Sequence, residues 1–223
     1  MAGGQRRCSD LGEPLKAHWK ALPARQQEVF RACAKISRRW GAYLAGGTAL
    51  ALHLGHRQSE DLDWFTPQTV APDDLLVDAH GLGFPTTVIQ NDEGTFLATV
   101  GDVKFSVFRY RYPMIDSFVE VEGINLASAR DLAAMKLAAL MGRATKRDYI
   151  DVHVLLTEGH LSLPEMIRAF EQKYPKHDVQ GALRALAFFA DVEGNMPIML
   201  APTTWKKVTT DLARLARRYS DQA

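Results

Sequence analysis

The sequence predicts an α+β fold, with a small mixed sheet in the middle of the chain flanked by helices on both sides. Three observations carry that prediction. Runs with a period of two, bounded by Gly, Asn and Asp, fall between residues 61 and 121. Residues 15–40 place apolar side chains at helical spacing. From Ser128 onward, helix-start signals recur ahead of amphipathic stretches. The 223 residues, 47% hydrophobic and 24% charged, are enough for a core that needs no cross-links, and they exclude an intrinsically disordered chain.

The elements follow in order. Leu15, His18, Trp19 and Leu22 share one helical face, and after Pro23 a second set, Val29, Cys33 and Ile36, recurs at i, i+4 and i+7 beside Phe30. Trp40 to Ala45 reads as a short buried strand that ends at Gly46 and Gly47. Thr48 is placed to cap a short helix, Ala49 to Leu54, closed by Gly55. A polar loop, His56 to Glu60, leads into the alternating strand Asp61 to Phe65, which Pro67 stops. A helix is predicted over residues 72–82. Thr86–Gln90, Phe96–Val100 and Val103–Tyr110 then form an antiparallel meander, with turns at Asn91–Gly94 and at Gly101 and Asp102, and Phe118–Val121 adds a strand. Ser128 to Asp131 starts a helix running to Gly142, and Thr145 to Asp148 starts one running to Glu158. Ser162 opens a third, and residues 178–191 and 204–219 are two more. The predicted organisation is N-terminal helices over 1–40, a sheet core over 41–127 and a C-terminal helical region over 128–223.

Composition narrows the function classes. No apolar run approaches the roughly 18 residues a membrane-spanning helix needs. The opening residues, up to Pro14, carry Arg6 and Arg7 with no apolar stretch behind them, so no secretory signal is predicted. Cys8 and Cys33 form neither a disulfide framework nor a metal-binding pair, which predicts a reducing, cytoplasmic location. Charge is segregated: residues 1–40 hold nine Lys/Arg against three Asp/Glu, and residues 41–131 hold five against thirteen. An acidic middle between basic ends suits a metal site flanked by surfaces for a polyanion, but charge alone favours the plainer reading of solvated helix faces and chance.

The chemistry lies between Ala45 and Phe65. A strand runs into a Gly46–Gly47 turn at a helix start, where backbone N–H groups can approach a phosphate without an intervening Cβ. Asp61 and Asp63 are two apart on a strand, so both carboxylates point to one face, as a hard divalent cation such as Mg²⁺ requires. Such a metal bridges nucleotide phosphates and aligns an attacking oxygen. There is no Walker A signature. Lys136, Leu140 and Arg143 share a helical face, so Lys136 and Arg143 can reach one anion together. Asp148 reads as the N3 partner of Thr145 in a capping box, while Asp151, one turn on, has no capping role. His53 and His56 are not at metal-ligand spacing.

The order of these blocks resembles the nucleotidyltransferases of the DNA polymerase β superfamily, and within it the AbiEii-type nucleotidyltransferase toxins, which include the MenT toxins. Leu44 to Leu52, His56 to Thr66 and Ala134 to Asp151 carry the likeness. The resemblance implies a polymerase-β-like nucleotidyltransferase fold whose C-terminal helical region completes the active site. It implies an Mg²⁺-dependent enzyme that moves a nucleoside monophosphate from an NTP to an acceptor hydroxyl. By position, Asp61 and Asp63 would bind metal, Gly46, Gly47, Thr48 and Ser59 would line the nucleotide site, and Lys136 with Arg143 would hold the triphosphate. Asp151 would position the acceptor or assist proton removal. The implied acceptor is an RNA end such as the tRNA 3′ end, and the implied partner a cognate antitoxin of a type IV-like system. Lys206, Lys207, Arg214, Arg217 and Arg218 are candidates to track a phosphate backbone. One position departs from the superfamily pattern: Ser106 stands where a third carboxylate is expected. That departure leaves a catalytically weak or inactive nucleotide- or antitoxin-binding module as the alternative, and a small molecule or a protein hydroxyl is the alternative acceptor.

Overall fold

A computed structural model describes residues 15–158, 160–192 and 194–221. The opening segment that bears Arg6, Arg7 and Cys8 lies outside the described residues. The chain divides into two compact units: residues 15–113 with Ser117–Ala127 form one, and Met114–Asp116 with residues 128–221 form the other.

The first unit is built on a seven-stranded mixed sheet. Its strands are β1 (Tyr43–Leu44), β2 (Asp61–Thr66), β3 (Thr86–Asp92), β4 (Thr95–Val100), β5 (Val103–Arg109), β6 (Val119–Val121) and β7 (Ile124–Leu126), in the spatial order β3-β4-β5-β2-β1-β7-β6. β2 runs parallel to β5 and β1 parallel to β7, while the other pairs are antiparallel. The predicted meander is therefore present as β3, β4 and β5, and the acidic strand lies beside its last member. Helices α1 (Ala24–Ala32), α2 (Ala34–Trp40), α3 (Gly46–Leu54) and α4 (Pro72–His80) accompany the sheet. Trp64 on the buried side of β2 stacks on Phe30 of α1, with ring centroids 6.3 Å apart, and Phe105 and Phe96 extend the same aromatic core.

Several local expectations needed correction. Leu15 to Leu22 form one short 3-10 turn, Trp19–Ala21, instead of an amphipathic helix. The Val29–Cys33–Ile36 helix breaks at Cys33, whose burial pushes its thiol pKa up. Trp40 ends α2, and Gly41, at φ 55, reverses the chain so that only Tyr43 and Leu44 pair as strand. Thr48 does not cap α3. The helix starts two residues earlier at Gly46, with Ala45 as N-cap and no side-chain cap hydrogen bond. β7 was missed because its three residues are too few to show a period, and it is held by parallel pairing of Leu126 with Leu44.

The second unit is helical: α5 (Ala129–Gly142), α6 (Lys146–Thr157), α7 (Leu163–Lys173), α8 (Val179–Leu186) and α9 (Trp205–Ser220). Ser128, Thr145, Ser162 and Thr204 each accept a bond from the N3 backbone N–H, which is why the start signals were legible. Asp131 is fully buried. Its carboxylate accepts from Lys173 Nζ at 2.7 Å, from the Ser128 hydroxyl, and from the backbone N–H groups of Ile115 and Asp116. That network ties Met114–Asp116 to α5 and α7. No helix among the described residues is long and apolar enough to cross a membrane.

Candidate active site

In the first unit the Gly46–Gly47 turn and the aspartate pair are stitched together by backbone. Ala45 N donates to the Asp63 carbonyl at 3.0 Å. The first-turn N–H groups of α3 have no intrahelical acceptor, and the positive end of the helix dipole lies there. Gly46 has φ 67, and a Cβ on it would stand 2.9 Å from Asp63 Oδ2. Gly47 lies outside the left-handed region, yet a Cβ on it would overlap Arg57 Nη2. Sequence reasoning took the missing Cβ atoms as room for a phosphate. In the direction a Cβ would take, those two positions lie against the Asp63 carboxylate and the Arg57 guanidinium of the chain itself, which gives each glycine a packing reason besides access to its N–H group.

β2 alternates as its sequence dictates. Leu62, Trp64 and Thr66 are buried, while Asp61, Asp63 and Phe65 are half-buried on the opposite face. In register beside them on β5 stand Lys104, Ser106 and Phe108. Lys104 Nζ lies 3.9 Å from Asp61 Oδ1, and Ser106 Oγ donates to Asp63 Oδ1 at 2.5 Å. Ser106, at which the resemblance leads one to expect a third carboxylate, thus stands in register beside Asp63. Among the described residues no group of three or more His, Cys, Asp or Glu is arranged to hold a metal. Two same-face, half-exposed carboxylates fit Mg²⁺ nonetheless, because that ion is commonly held by one or two carboxylates with phosphate oxygens and water completing the shell.

Thr48 and Ser59 meet beneath the pair. Thr48 Oγ1 donates to the Asp61 carbonyl and lies 2.8 Å from Ser59 Oγ, and both residues are buried. Gln26 of α1, 1% exposed, donates to the same Asp61 carbonyl at 3.0 Å. These contacts fix the start of β2 against α3. Ser59 N donates to the Ala21 carbonyl at 2.9 Å, which anchors the loop that returns from α3. His53 Nε2 is 3.0 Å from the Ala127 carbonyl, and His56 is buried.

Lys136, Arg143 and Asp151 lie in the second unit. Lys136 Nζ of α5 lies 2.8 Å from Asp148 Oδ1 and 2.7 Å from Asp151 Oδ2 of α6, with side-chain exposures of 5%, 1% and 0%. Arg143, two-thirds exposed, adds Nε at 3.2 Å from Asp148 Oδ2. Lys136 and Arg143 do reach one anion together, and here that anion is Asp148. Thr145 caps α6 as expected, but the Asp148 carboxylate does not return the bond to the N-cap backbone; it accepts from the Thr145 hydroxyl and faces the two cations. Burial works against ionisation of Asp148, yet the Lys136 charge and hydrogen bond, the Thr145 hydroxyl and Arg143 outweigh it and hold the carboxyl down at about 2.

Of the C-terminal basic residues, Lys206, Arg217 and Arg218 are exposed on α9, whereas Lys207 and Arg214 pair with Asp211. Sequence reading missed three features: Arg57, Gln26 and the aromatic continuation of the acidic face. Phe65 and Phe108 touch at 5.6 Å between centroids, and Tyr110 meets Phe65 edge-on at 5.2 Å. The period of two that placed Asp61 and Asp63 on one face already placed Phe65 with them. For Gln26 and Arg57 the sequence carried no signal.

Comparison with known proteins gives a family and a fold. A family model described as nucleotidyl transferase AbiEii toxin, type IV toxin–antitoxin system, matches residues 37–115 and 101–218. An uncharacterized protein of Aquifex aeolicus (strain VF5) is 28% identical over 205 residues, covering 90% of this chain and 98% of that one. JHP933 of Helicobacter pylori superposes with a TM-score of 0.55 at 20% identity, covering 88% of this chain and 90% of that one. The nucleotidyltransferase toxin MenT4 of Mycobacterium tuberculosis superposes with a TM-score of 0.56 at 15% identity, covering 89% and 86%.

Proposed function

The chain belongs to the AbiEii family of nucleotidyltransferase toxins and has the polymerase-β-like nucleotidyltransferase fold, and from that premise we propose that it transfers a nucleoside monophosphate from an NTP to an acceptor hydroxyl, releasing pyrophosphate. The observation that carries the reading is the uncapped start of α3 set against two same-face carboxylates, Asp61 and Asp63. Mg²⁺ held by Asp61 and Asp63 would neutralise phosphate charge and lower the barrier for the attacking oxygen.

The chain's own groups do the rest. The first-turn N–H groups at Gly46, Gly47 and Thr48 bind phosphate oxygens, with the α3 dipole favouring the negative charge. Thr48, Ser59 and Gln26 keep the Asp61 backbone in place, so the two carboxylates present one geometry to each substrate. The half-exposed rings of Phe65 and Phe108, on the same face, offer a surface on which a base stacks. On the resemblance alone, Lys136 would hold the triphosphate and Asp151 would position the acceptor or assist proton removal; within the second unit the Lys136 ammonium pairs with Asp148 and Asp151. The acceptor we propose is an RNA 3′ end such as that of tRNA, supported by the family and by the exposed Lys206, Arg217 and Arg218. A cognate antitoxin restrains the activity, in keeping with the family's toxin–antitoxin character.

One observation favours a second reading. Ser106, standing beside Asp63 in place of a third acid, suits a module that binds nucleotide or antitoxin without turnover. Incubation of the protein with each α-labelled NTP and Mg²⁺, with total tRNA as acceptor, separates the two. Label on tRNA that disappears in Asp63→Ala supports transfer. NTP binding without label on RNA, protein or small hydroxyl compounds supports the inactive module.

A further inference from the structure

Arg57 is the largest charged side chain to be almost wholly buried in the first unit, at 2% exposure, and no step of the proposed reaction uses it. It lies on the loop that returns from α3 to β2, two residues before Ser59 and four before Asp61. Its Nη1 donates to the Gln58 carbonyl at 2.9 Å. The rest of the fork reaches back to the opposite end of α3, where a Cβ on Gly47 would overlap Nη2 and stand 3.5 Å from Cζ. Gly47 has ordinary helical backbone, so conformation does not demand glycine there; the guanidinium does.

We infer that Arg57 is a positioning residue for the phosphate-binding turn, an inference that rests on the proposed nucleotide site. Two consequences follow from where the guanidinium lies. Pressed on the Cα of Gly47, it fixes the Gly46–Thr48 backbone and with it the directions of the first-turn N–H groups. It also stands at the phosphate-binding end of α3, where a planar fork suits phosphate oxygens. The same loop carries Ser59 into contact with Thr48, so one side chain couples the turn to the strand that bears Asp61 and Asp63. The glycine and the arginine are then two halves of one device, ten residues apart in sequence.

The test uses inorganic tripolyphosphate without metal, titrated into the full chain by calorimetry, so that the phosphate site is read apart from catalysis. Arg57→Gln is expected to weaken binding at least about tenfold, and Arg57→Lys, with the charge but not the fork, to fall in between. Gly47→Ala keeps Arg57 but evicts its guanidinium, and it is expected to match Arg57→Gln. The double variant is expected to be no worse than either single one, the signature of a shared contact. A merely structural arginine would lower the unfolding temperature and leave the affinity of the folded protein unchanged. Wild-type affinity in folded Arg57→Gln, additive losses in the double variant, or no binding by the wild type would each overturn the inference. Should Arg57→Gln fail to fold, Gly47→Ala decides by itself. The reading of the enzyme stands or falls separately, on Asp63-dependent transfer of label.

Discussion

The pairs Asp61–Asp63 and Asp148–Asp151 have opposite surroundings. Asp61 and Asp63 sit two apart on a strand, half-buried, with one lysine 3.9 Å from the first and one serine hydroxyl on the second. Asp148 and Asp151 sit three apart on a helix, excluded from solvent, and share a lysine at 2.8 and 2.7 Å. A strand spacing of two and a helix spacing of three both put carboxylates on one face. What separates the pairs is the cation each fold supplies. The helical pair encloses a buried lysine shared by both carboxylates, whereas the strand pair is half-exposed, with the exposed Lys104 beside it, and a hard cation can reach it from solvent.

The strongest way to break that comparison is to delete one member of the open pair. Asp63→Ala is expected to lower labelled transfer at least about a hundredfold, in line with the loss of a group that stabilises developing charge. Its unfolding temperature should stay near that of the wild type, because a half-exposed carboxylate facing a like charge contributes little to the fold. Retained transfer in both Asp61→Ala and Asp63→Ala would end the assignment of that pair to metal.

The closed pair should answer the other way. Lys136→Met leaves two buried carboxylates without their shared cation and is expected to cost about 3–5 kcal/mol of stability. Urea unfolding measures it directly. Adding Asp148→Asn and Asp151→Asn to Lys136→Met should recover part of the loss, since the uncompensated charges are then gone. If Lys136→Met unfolds at the wild-type urea concentration, the cluster does not hold α5 to α6.

Acid sharpens the same contrast. Asp148 titrates at about 2 in the fold against an ordinary value of 3.8, so it binds its proton less readily folded than unfolded. Its contribution is fully present above about pH 4 and is lost as the pH falls towards 2, a total of about 2 kcal/mol. Stability measured between pH 5 and 2 should drop more steeply in the wild type than in Asp148→Asn. Parallel curves for the two proteins would show that the depression is absent.

What the sequence made legible follows from the range of the forces involved. The helix starts at Ser128, Thr145, Ser162 and Thr204 were readable because a cap and its N–H are three residues apart. Asp61 and Asp63 were readable because strand geometry alone sets their common face. The departure at Ser106 was noticed in sequence, and register pairing with Asp63 gives it a location. Arg57 over Gly47, Gln26 on the Asp61 carbonyl and the burial of Lys136 were not readable. Each depends on a side chain from another element arriving at a particular backbone atom, and neither period nor propensity encodes that arrival. The same limit explains Thr48: its place as a cap was read from its neighbours, but β2 and its loop draw its hydroxyl inward to the Asp61 carbonyl.

The smallest expected effect tests how open the strand pair is. Ser106 now donates to Asp63 Oδ1 at 2.5 Å, which occupies one lone pair and leaves two carboxylates on that face, with Lys104 beside Asp61. Ser106→Asp exchanges that donor for a third carboxylate in register with Asp63, and divalent-ion affinity rises with the number of ligand charges. The Mg²⁺ concentration for half-maximal transfer is expected to fall about tenfold, equivalent to about 1.4 kcal/mol. Without metal the same variant should unfold a few degrees lower, because three like charges then share one face, and Mg²⁺ should restore the difference. Ser106→Ala removes the hydrogen bond without adding charge, so it isolates the orienting part of the serine's role. If Ser106→Asp shifts neither the Mg²⁺ requirement nor the metal-free unfolding temperature, β5 does not face the ion, and the pair on β2 would have to complete its shell from substrate and water alone.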